Sequence, residues 1–260
     1  MTGLAAIAVP VGRLYGRVLG WVIACAARIV GDRRKPLGPA RTLGVVVGVH
    51  IVVLSIWMGP PALIAGLVSA TVTAIVVGRT VTWRTLTADE LALARTVFGD
   101  DADWLGRVVV TDLSGMNGRA FTVPGIDGRV YCNLGDRFTQ LAAGPTGPGA
   151  EANSAATRLL VHELAHAAQI AYAPSASAFL GEAAALQVRY SLGENVYAVT
   201  PLAGSGARLN LEQQATAVDT WFAHRRKPGG PPTSDPAAAV LAAWHSGRSA
   251  SGSRPPRSGV

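Results

Sequence analysis

The stretch RLLVHELAHAAQ, residues 158–169, is the most informative part of this sequence and predicts a buried helix. On a helix, side chains four residues apart lie on the same face, so His162 and His166 can direct ring nitrogens to one metal ion. Glu163 lies beside them, where its carboxylate can accept a proton from water. The neighbouring residues are aliphatic, and buried polar side chains need partners. The pattern therefore predicts a metal site inside a helical domain.

The residues HELAH at 162–166 follow the HExxH pattern of zinc metallopeptidases. In that pattern the two histidines bind Zn²⁺ and the glutamate acts as the general base. We therefore expect zinc as the cofactor, held by His162 and His166, with Glu163 as the catalytic base. The expected substrate is a protein or peptide.

A catalytic zinc takes a third protein ligand and keeps one position open for water. The candidates lie after the motif and are Glu182, Glu194, Glu212, Asp219 and His224. No further histidine follows His166 at the spacing of HExxHxxGxxH, so a glutamate from a later helix is expected. Spacing alone leaves both Glu182 and Glu212 open, because loop length restricts closure only weakly.

Hydrolysis of a peptide bond also needs a donor that stabilises the oxyanion. Three later residues are candidates for this donor, namely Tyr190, Tyr197 and His224. Among them Tyr197 is preferred, but packing in the core or at its rim is favoured over a catalytic role for each of the three.

Charge is distributed unevenly along the chain, whose net charge is +7. Residues 1–84 contain nine basic residues and one acidic residue, and residues 225–260 contain six basic residues and one acidic residue. Residues 85–224 contain eight basic and fourteen acidic residues. The part that carries the motif is thus acidic, and we expect no nucleic-acid partner.

The uncharged apolar residues 42–78 predict a transmembrane helical hairpin. As one helix they would be about 55 Å long, too long for a hydrocarbon core of about 30 Å. The turn-forming Gly59-Pro60-Pro61 divides them into two helices of about 25 Å each. Basic residues flank both ends and should stay on the cytoplasmic side. We therefore expect a two-span protein of the cell membrane with a cytoplasmic catalytic domain; a buried hairpin in a soluble protein is the alternative.

The two ends of the chain are basic and are predicted to be accessory segments. Residues 1–41 should form an amphipathic segment, because arginines leave only about ten uninterrupted apolar residues between positions 11 and 30, too few to span a bilayer. A helix lying in the membrane interface fits better, with Tyr15 and Trp21 among the headgroups. Residues 225–260 are rich in Pro, Gly and Ser and should be largely disordered, apart from a short helix at 237–244.

The intervening residues 85–224 predict one α+β domain that is mainly helical with a small β region. A capping box formed by Thr87 and Glu90 should begin a helix that ends at Gly99. Three short strands are expected at 108–111, 120–123 and 130–133. A loop at 144–155 should then lead to helices at 155–172, 177–191 and 211–224.

This arrangement resembles the zincin-like metallopeptidase domains found beside type VI secretion spike proteins and phage-tail-like contractile systems. The matching segments are LTADE at 86–90, FGD at 98–100, VHELAHAAQ at 161–169 and NLEQQA at 210–215. The chain departs from the family at Ala168, where an aromatic residue is frequent, and at Thr220, where an acid is expected. The resemblance implies a gluzincin-like zincin fold over residues 85–224, with Glu212 rather than Glu182 as the third zinc ligand.

Together these features predict a membrane-anchored zinc metallopeptidase that hydrolyses peptide bonds with metal-activated water and a glutamate base. An alternative from another class is a catalytically degenerate zincin-fold module for binding or assembly, linked to a secretion or contractile system. A third is a toxin or effector whose hairpin inserts into a target membrane. Metal content and hydrolysis distinguish the first two.

Overall fold

The computed structural model describes residues 3–30, 44, 47–48, 79–125, 127–142, 155–199, 209–225 and 236–245. The predicted hairpin at 42–78, apart from three isolated residues, lies outside the described residues. The same holds for most of the predicted loop at 144–155 and for the end of the tail.

Within the described residues the chain is mixed α+β and mainly helical, as the sequence predicted. The helices are α1 (Gly3–Val30), α2 (Ala88–Phe98), α3 (Arg137–Ala142), α4 (Ala155–Tyr172), α5 (Ala176–Ser191), α6 (Leu211–Arg225) and α7 (Pro236–His245). The strands are β1 (Trp83–Thr85), β2 (Val108–Thr111), β3 (Phe121–Pro124) and β4 (Val130–Asn133). The strands and helices predicted between residues 87 and 245 are confirmed to within one or two residues. Two short elements, β1 and α3, were not predicted, because three and six residues are too few for a clear period.

The four strands form one sheet in the order β1-β2-β4-β3. The two inner strands, β2 and β4, are parallel and buried along their whole length, which explains their unbroken apolar character. Strand β3 pairs antiparallel with β4 and is an edge of the sheet. Its residues alternate between partly buried and buried, so one face of β3 turns toward the core.

Helix α4 carries the HELAH motif and packs on β3, β4 and α6. Six of its aliphatic side chains have no solvent exposure at all; they are Leu160, Val161, Leu164, Ala165, Ala167 and Ala168. Each fully buried Leu or Val contributes roughly 1.5–3 kcal/mol to folding. The motif is thereby held at the centre of the domain, between the sheet and α6.

Two features near the ends of the domain, the capping box of α2 and the tail helix, were predicted from the sequence. The capping box of α2 is confirmed, since the Glu90 amide donates to Thr87 Oγ1 at 3.3 Å and the Thr87 amide donates to Glu90 Oε2 at 2.8 Å. The predicted tail helix is also confirmed, as α7. Its Trp244 is 2% exposed and lies 6.1 Å from the ring of Phe98, so it docks on the domain.

Helix α1 packs along α5 through a ladder of glycines that the sequence analysis did not identify. Gly12, Gly16 and Gly20 recur every four residues, which places them on one face of α1. A Cβ atom at Gly16 would overlap the carbonyl oxygen of Leu180 on α5. The two backbones can approach this closely only because glycine lacks a side chain. The contact is reinforced where Ser177 Oγ donates to the Arg17 carbonyl oxygen at 2.7 Å.

The face of α1 that points away from α5 is apolar and exposed. It consists of Ile7, Val11, Leu14, Val18 and Trp21, which are between 46% and 70% exposed. Residues Ala5–Ala24 are long and apolar enough to cross a membrane, by length and composition only. The helix thus passes a test of length and composition that the sequence analysis expected it to fail, because it begins at Gly3 and includes the apolar residues ahead of Arg13.

We expect Gly16→Ala to loosen α1 from α5. The added methyl group would overlap backbone atoms, and overpacking of this kind costs about 1–3 kcal/mol. The melting temperature of the full chain in detergent, followed by tryptophan fluorescence, should fall by roughly 2–10 °C. Gly106→Ala is the matched control, because a Cβ there meets nothing within 4 Å. Equal melting temperatures for the two variants would contradict the glycine ladder.

Candidate metal centre

The two histidines of the motif lie one turn apart on α4 and face the first turn of α6. Their ring centroids are 5.0 Å apart. The Nε2 atoms of His162 and His166 lie 3.5 Å and 3.4 Å from the same atom, Glu212 Oε2. The structure therefore brings together three residues that are far apart in the sequence, with one potential ligand atom from each.

These distances fit a divalent metal ion. With zinc–nitrogen and zinc–oxygen distances of about 2.0–2.2 Å, two ligand atoms of a tetrahedral site lie about 3.4 Å apart. The separations of Glu212 Oε2 from the two Nε2 atoms agree with that edge length, and the three ligand atoms all lie within 4.8 Å of one another. Two imidazoles and one carboxylate are also a ligand set that zinc accepts. The His162–His166–Glu212 group can thus hold a metal ion.

Each histidine ring is oriented by a second partner at its other nitrogen. Asp219 Oδ2 lies 2.9 Å from His162 Nδ1, and Gln169 Oε1 lies 2.8 Å from His166 Nδ1. Because a carboxylate and an amide oxygen only accept, both Nδ1 atoms carry the proton in these bonds. In a neutral ring the lone pair is then at Nε2, where it faces Glu212.

The orienting groups are themselves held in place. Arg158 Nε donates to Asp219 Oδ1 at 2.8 Å. Gln169 Nε2 donates to the Leu211 carbonyl oxygen at 2.9 Å, and this fixes which way its amide group faces. The site is therefore a connected network between α4 and α6 and not an isolated cluster.

The charges of the group favour a cation. Burial opposes protonation of His162, but hydrogen bonds with Asp219 and Glu212 outweigh burial and raise its pKa to about 10. Burial raises the pKa of Glu212, but hydrogen bonds with His162 and His166 lower it more, and the net result is a pKa well below the usual range. Protons on the histidines thus balance the carboxylates. A metal ion would displace those protons and take over that balance.

Glu163 lies on a different face of α4 from the two histidines and reaches the edge strand β3. Thr122 Oγ1 donates to Glu163 Oε2 at 2.7 Å. The Glu163 side chain is buried, and its charge acts on both His162 and His166. The carboxylate predicted as the base is therefore located between the histidine pair and the sheet edge.

Three of the other predicted ligand candidates, Glu182, Glu194 and Asp219, have different partners. Glu182 lies 3.2 Å from Arg13 of α1 and is 40% exposed. Glu194 pairs with Arg189. Asp219 contacts His162 but through Nδ1, so it orients a ligand. The structure thus places Glu212, and not Glu182, with the histidines.

Two residues of the network were missed as orienting groups in the sequence. Gln169 follows His166 by three residues, which is close to one helical turn, and Asp219 follows Glu212 by seven residues, which is close to two turns. Both spacings can be read from the sequence. Whether Gln169 and Asp219 contact the histidines, however, depends on how α6 packs against α4.

Comparison of the chain with family models, with curated proteins and with solved structures finds no match. The resemblance to zincin-like domains therefore stays a prediction from the motifs and their order.

We expect Glu212→Ala to remove a metal ligand and Glu182→Ala to leave the site intact. The loss of zinc affinity for Glu212→Ala should exceed the roughly 10–100-fold cost of losing an orienting partner. Glu182→Ala should cost no more than an exposed ion pair, about 0–1 kcal/mol of folding stability. Zinc titration of the full chain in detergent, in competition with a chromophoric chelator, measures both. Loss of zinc from Glu182→Ala alone would reverse the assignment.

Asp219→Asn should weaken zinc binding by about 10–100-fold, because an amide cannot replace the carboxylate charge that Asp219 places beside His162 Nδ1. Asp136→Asn, an exposed change ahead of α3, serves as the control and should have no effect. The same competition titration compares them. An unchanged affinity in Asp219→Asn would mean that Asp219 has no role in the metal site.

Proposed function

We propose that this chain is a membrane-associated zinc metallopeptidase with a zincin-like catalytic domain. The observation that carries the proposal is the convergence of His162 Nε2, His166 Nε2 and Glu212 Oε2, with Glu163 next to them on the motif helix. The order of the family-like segments at 86–90, 161–169 and 210–215 supports the same proposal.

Zinc is the proposed metal, held by His162, His166 and Glu212. Bound there, zinc would lower the pKa of a coordinated water toward about 7 and polarise the carbonyl group of the substrate. The protein's contribution is orientation, because Asp219 and Gln169 keep both imidazoles in the tautomer that presents Nε2.

Glu163 is the proposed general base. Its Oε2 accepts a hydrogen bond from Thr122, which leaves Oε1 available for a proton from the attacking water. Glu163 would then pass that proton to the nitrogen of the leaving amine. Thr122 holds the carboxylate in position during both transfers.

The edge strand β3 supports a peptide as the substrate. Within the described residues no strand pairs with the outer side of β3, so its backbone amides and carbonyls can pair with an extended chain. A peptide added there would pass beside Glu163, because Thr122 of β3 contacts that side chain. The base and the proposed path of the substrate thus belong to one side of the domain.

The proposed membrane attachment has two parts. Residues 42–78 would form a two-span hairpin that leaves both ends and the catalytic domain in the cytoplasm, by the basic flanks. Helix α1 would lie in the interface, because its glycine face is covered by α5 while its other face is apolar. A helix that spanned the bilayer would carry the attached α5, with Glu182 and Arg189, into the hydrocarbon core, and that is costly.

We expect Glu163→Gln to bind zinc normally and to lose hydrolysis by about 100-fold or more, because the amide cannot accept the proton. Cleavage of unfolded casein by the full chain in detergent measures turnover, and metal analysis measures zinc. Glu182→Gln is the matched control on α5 and should retain activity. Hydrolysis by Glu163→Gln would exclude its role as base, whereas zinc binding without hydrolysis in the wild type would favour the binding-module alternative.

Two membrane spans predict that positions near Gly59 and near Arg84 lie on opposite sides of the membrane. Single cysteines at Gly59 and at the exposed Trp83 should react with an impermeant thiol reagent from opposite sides of oriented vesicles. Both sites reacting from one side would be incompatible with a hairpin that spans the bilayer. Release of the protein from the membrane by alkaline carbonate would also be incompatible with such a hairpin.

A further inference from the structure

An arginine and two tyrosines form a compact cluster outside the metal group. The guanidinium carbon of Arg119 lies 4.7 Å from the ring centroid of Tyr190 and 5.3 Å from that of Tyr197. The two rings meet edge to face at 5.9 Å, and Arg119 Nη2 donates to the Tyr197 hydroxyl. Stacking on aromatic faces stabilises the cation and limits the orientations of its plane.

The positive charge of Arg119 has no acidic partner in the part of the chain that the structure describes. No carboxylate oxygen of a described residue lies within ion-pair distance of its guanidinium, in contrast to Arg84, Arg158 and Arg189. Of its five N–H donors, one donates to an acceptor among the described residues, the Tyr197 hydroxyl. Arg119 is therefore a half-buried cation, held rigidly, with donors left for a further acceptor.

The strand that follows Arg119 leads directly to the base. Thr122, which holds Glu163, is three residues further along, and three residues of extended chain measure about 10 Å. The Gly115 amide donates to the Arg119 carbonyl oxygen at 2.8 Å and fixes the backbone there. A peptide running along β3 past Glu163 would reach Arg119 about three residues away.

The tyrosine side of the cluster is joined to the helix that carries Glu212. Gln213 Nε2 donates to the Ala198 carbonyl oxygen at 2.8 Å, and Asn210 Nδ2 donates to that of Val196 at 3.1 Å. Burial and the negative charge of Glu212 raise the pKa of Tyr197, so its hydroxyl keeps its proton. The cluster thus bridges β3 and the start of α6, which are the elements on either side of the metal group.

We propose that Arg119, supported by Tyr190 and Tyr197, is a subsite that binds a carboxylate of the peptide substrate. This inference rests on the proposed peptidase function and deepens it by naming a feature of the substrate. Carboxylates suit a guanidinium because two parallel hydrogen bonds match the planar fork. The carboxylate belongs either to the C terminus of the substrate or to an Asp or Glu side chain about three residues from the cleaved bond.

Equilibrium binding of dansylated alanine hexapeptides tests the subsite. The probes are the free acid, the C-terminal amide, and amides with one glutamate at each position in turn. The full chain is used in detergent with zinc present, and it carries Glu163→Gln so that the peptides stay intact. One carboxylate-bearing probe should bind about tenfold more tightly than the plain amide, as expected for a charge-assisted pair. Preference for the free acid identifies the C terminus, and preference for one glutamate position identifies a side chain.

Arg119→Gln should abolish this preference, and Arg107→Gln should retain it. Arg107 is an exposed arginine ahead of β2, at the opposite end of the sheet from Arg119. A carboxylate that only contacts zinc would keep its advantage in Arg119→Gln, and that result would overturn the proposal. A preference of less than about threefold for every carboxylate-bearing probe over the plain amide, in the chain that retains Arg119, would also overturn the proposal. This holds whether or not the protein cleaves peptides.

A conservative variant covers the case in which Arg119→Gln does not fold. Arg119→Lys keeps the charge over the rings but lacks the planar fork, so the preference should weaken several-fold. An unchanged preference in Arg119→Lys would overturn the assignment of a fork-shaped carboxylate site. Binding ratios are independent of turnover, so this experiment and the casein assay can fail separately.

Discussion

The antiparallel packing of α4 against α6 is the interaction on which the site depends. Hydrogen bonds mark both ends of the contact, from Arg158 to Asp219 at one end and from Gln169 to the Leu211 carbonyl at the other. Between them the core contains small and aliphatic side chains with no solvent exposure, among them Ala165, Ala168, Ala215 and Val218. Small residues let α4 and α6 approach closely. This closeness is needed because the side chain of Glu212 on α6 is short and must reach both histidines on α4. A wider separation of α4 and α6 would therefore move Glu212 Oε2 away from the two Nε2 atoms.

The polar groups inside this interface stabilise one another only as a set. Each imidazole has an acceptor at Nδ1 and faces Glu212 with Nε2, and Asp219 is held by Arg158. In a low-dielectric interior a network of this kind is favourable when every member is paired and costly when one is missing. The set carries an excess of carboxylate charge that either protons or a metal ion must neutralise. That requirement connects the packing of the helices to the chemistry that they can support.

The sheet makes a separate contribution through its edge strand. Helices supply the three atoms that could hold a metal ion, whereas β3 supplies Thr122, which donates to Glu163, and begins two residues after Arg119. Strand pairing keeps β3 at a constant distance from β4, and the Thr122–Cys132 pair lies directly beneath Glu163. The distance from Glu163 to the arginine cluster is therefore set by the rise of an extended chain. Helix α1 lies on the other side of α5, where its glycine ladder joins an exposed apolar face to the domain.

The sequence by itself determined the motif helix, the inner strands and the identities of His162, Glu163 and His166. These follow from periodicity and spacing, which are local properties. It also named Glu182 and Glu212 as candidate ligands, and only the resemblance favoured Glu212, because loop length restricts closure too weakly to choose between them. Only the tertiary structure decided that α6 crosses the histidines while Glu182 meets Arg13 of α1. Contacts between distant segments depend on which faces pack together, and neither hydrophobic spacing nor a glycine ladder specifies its partner.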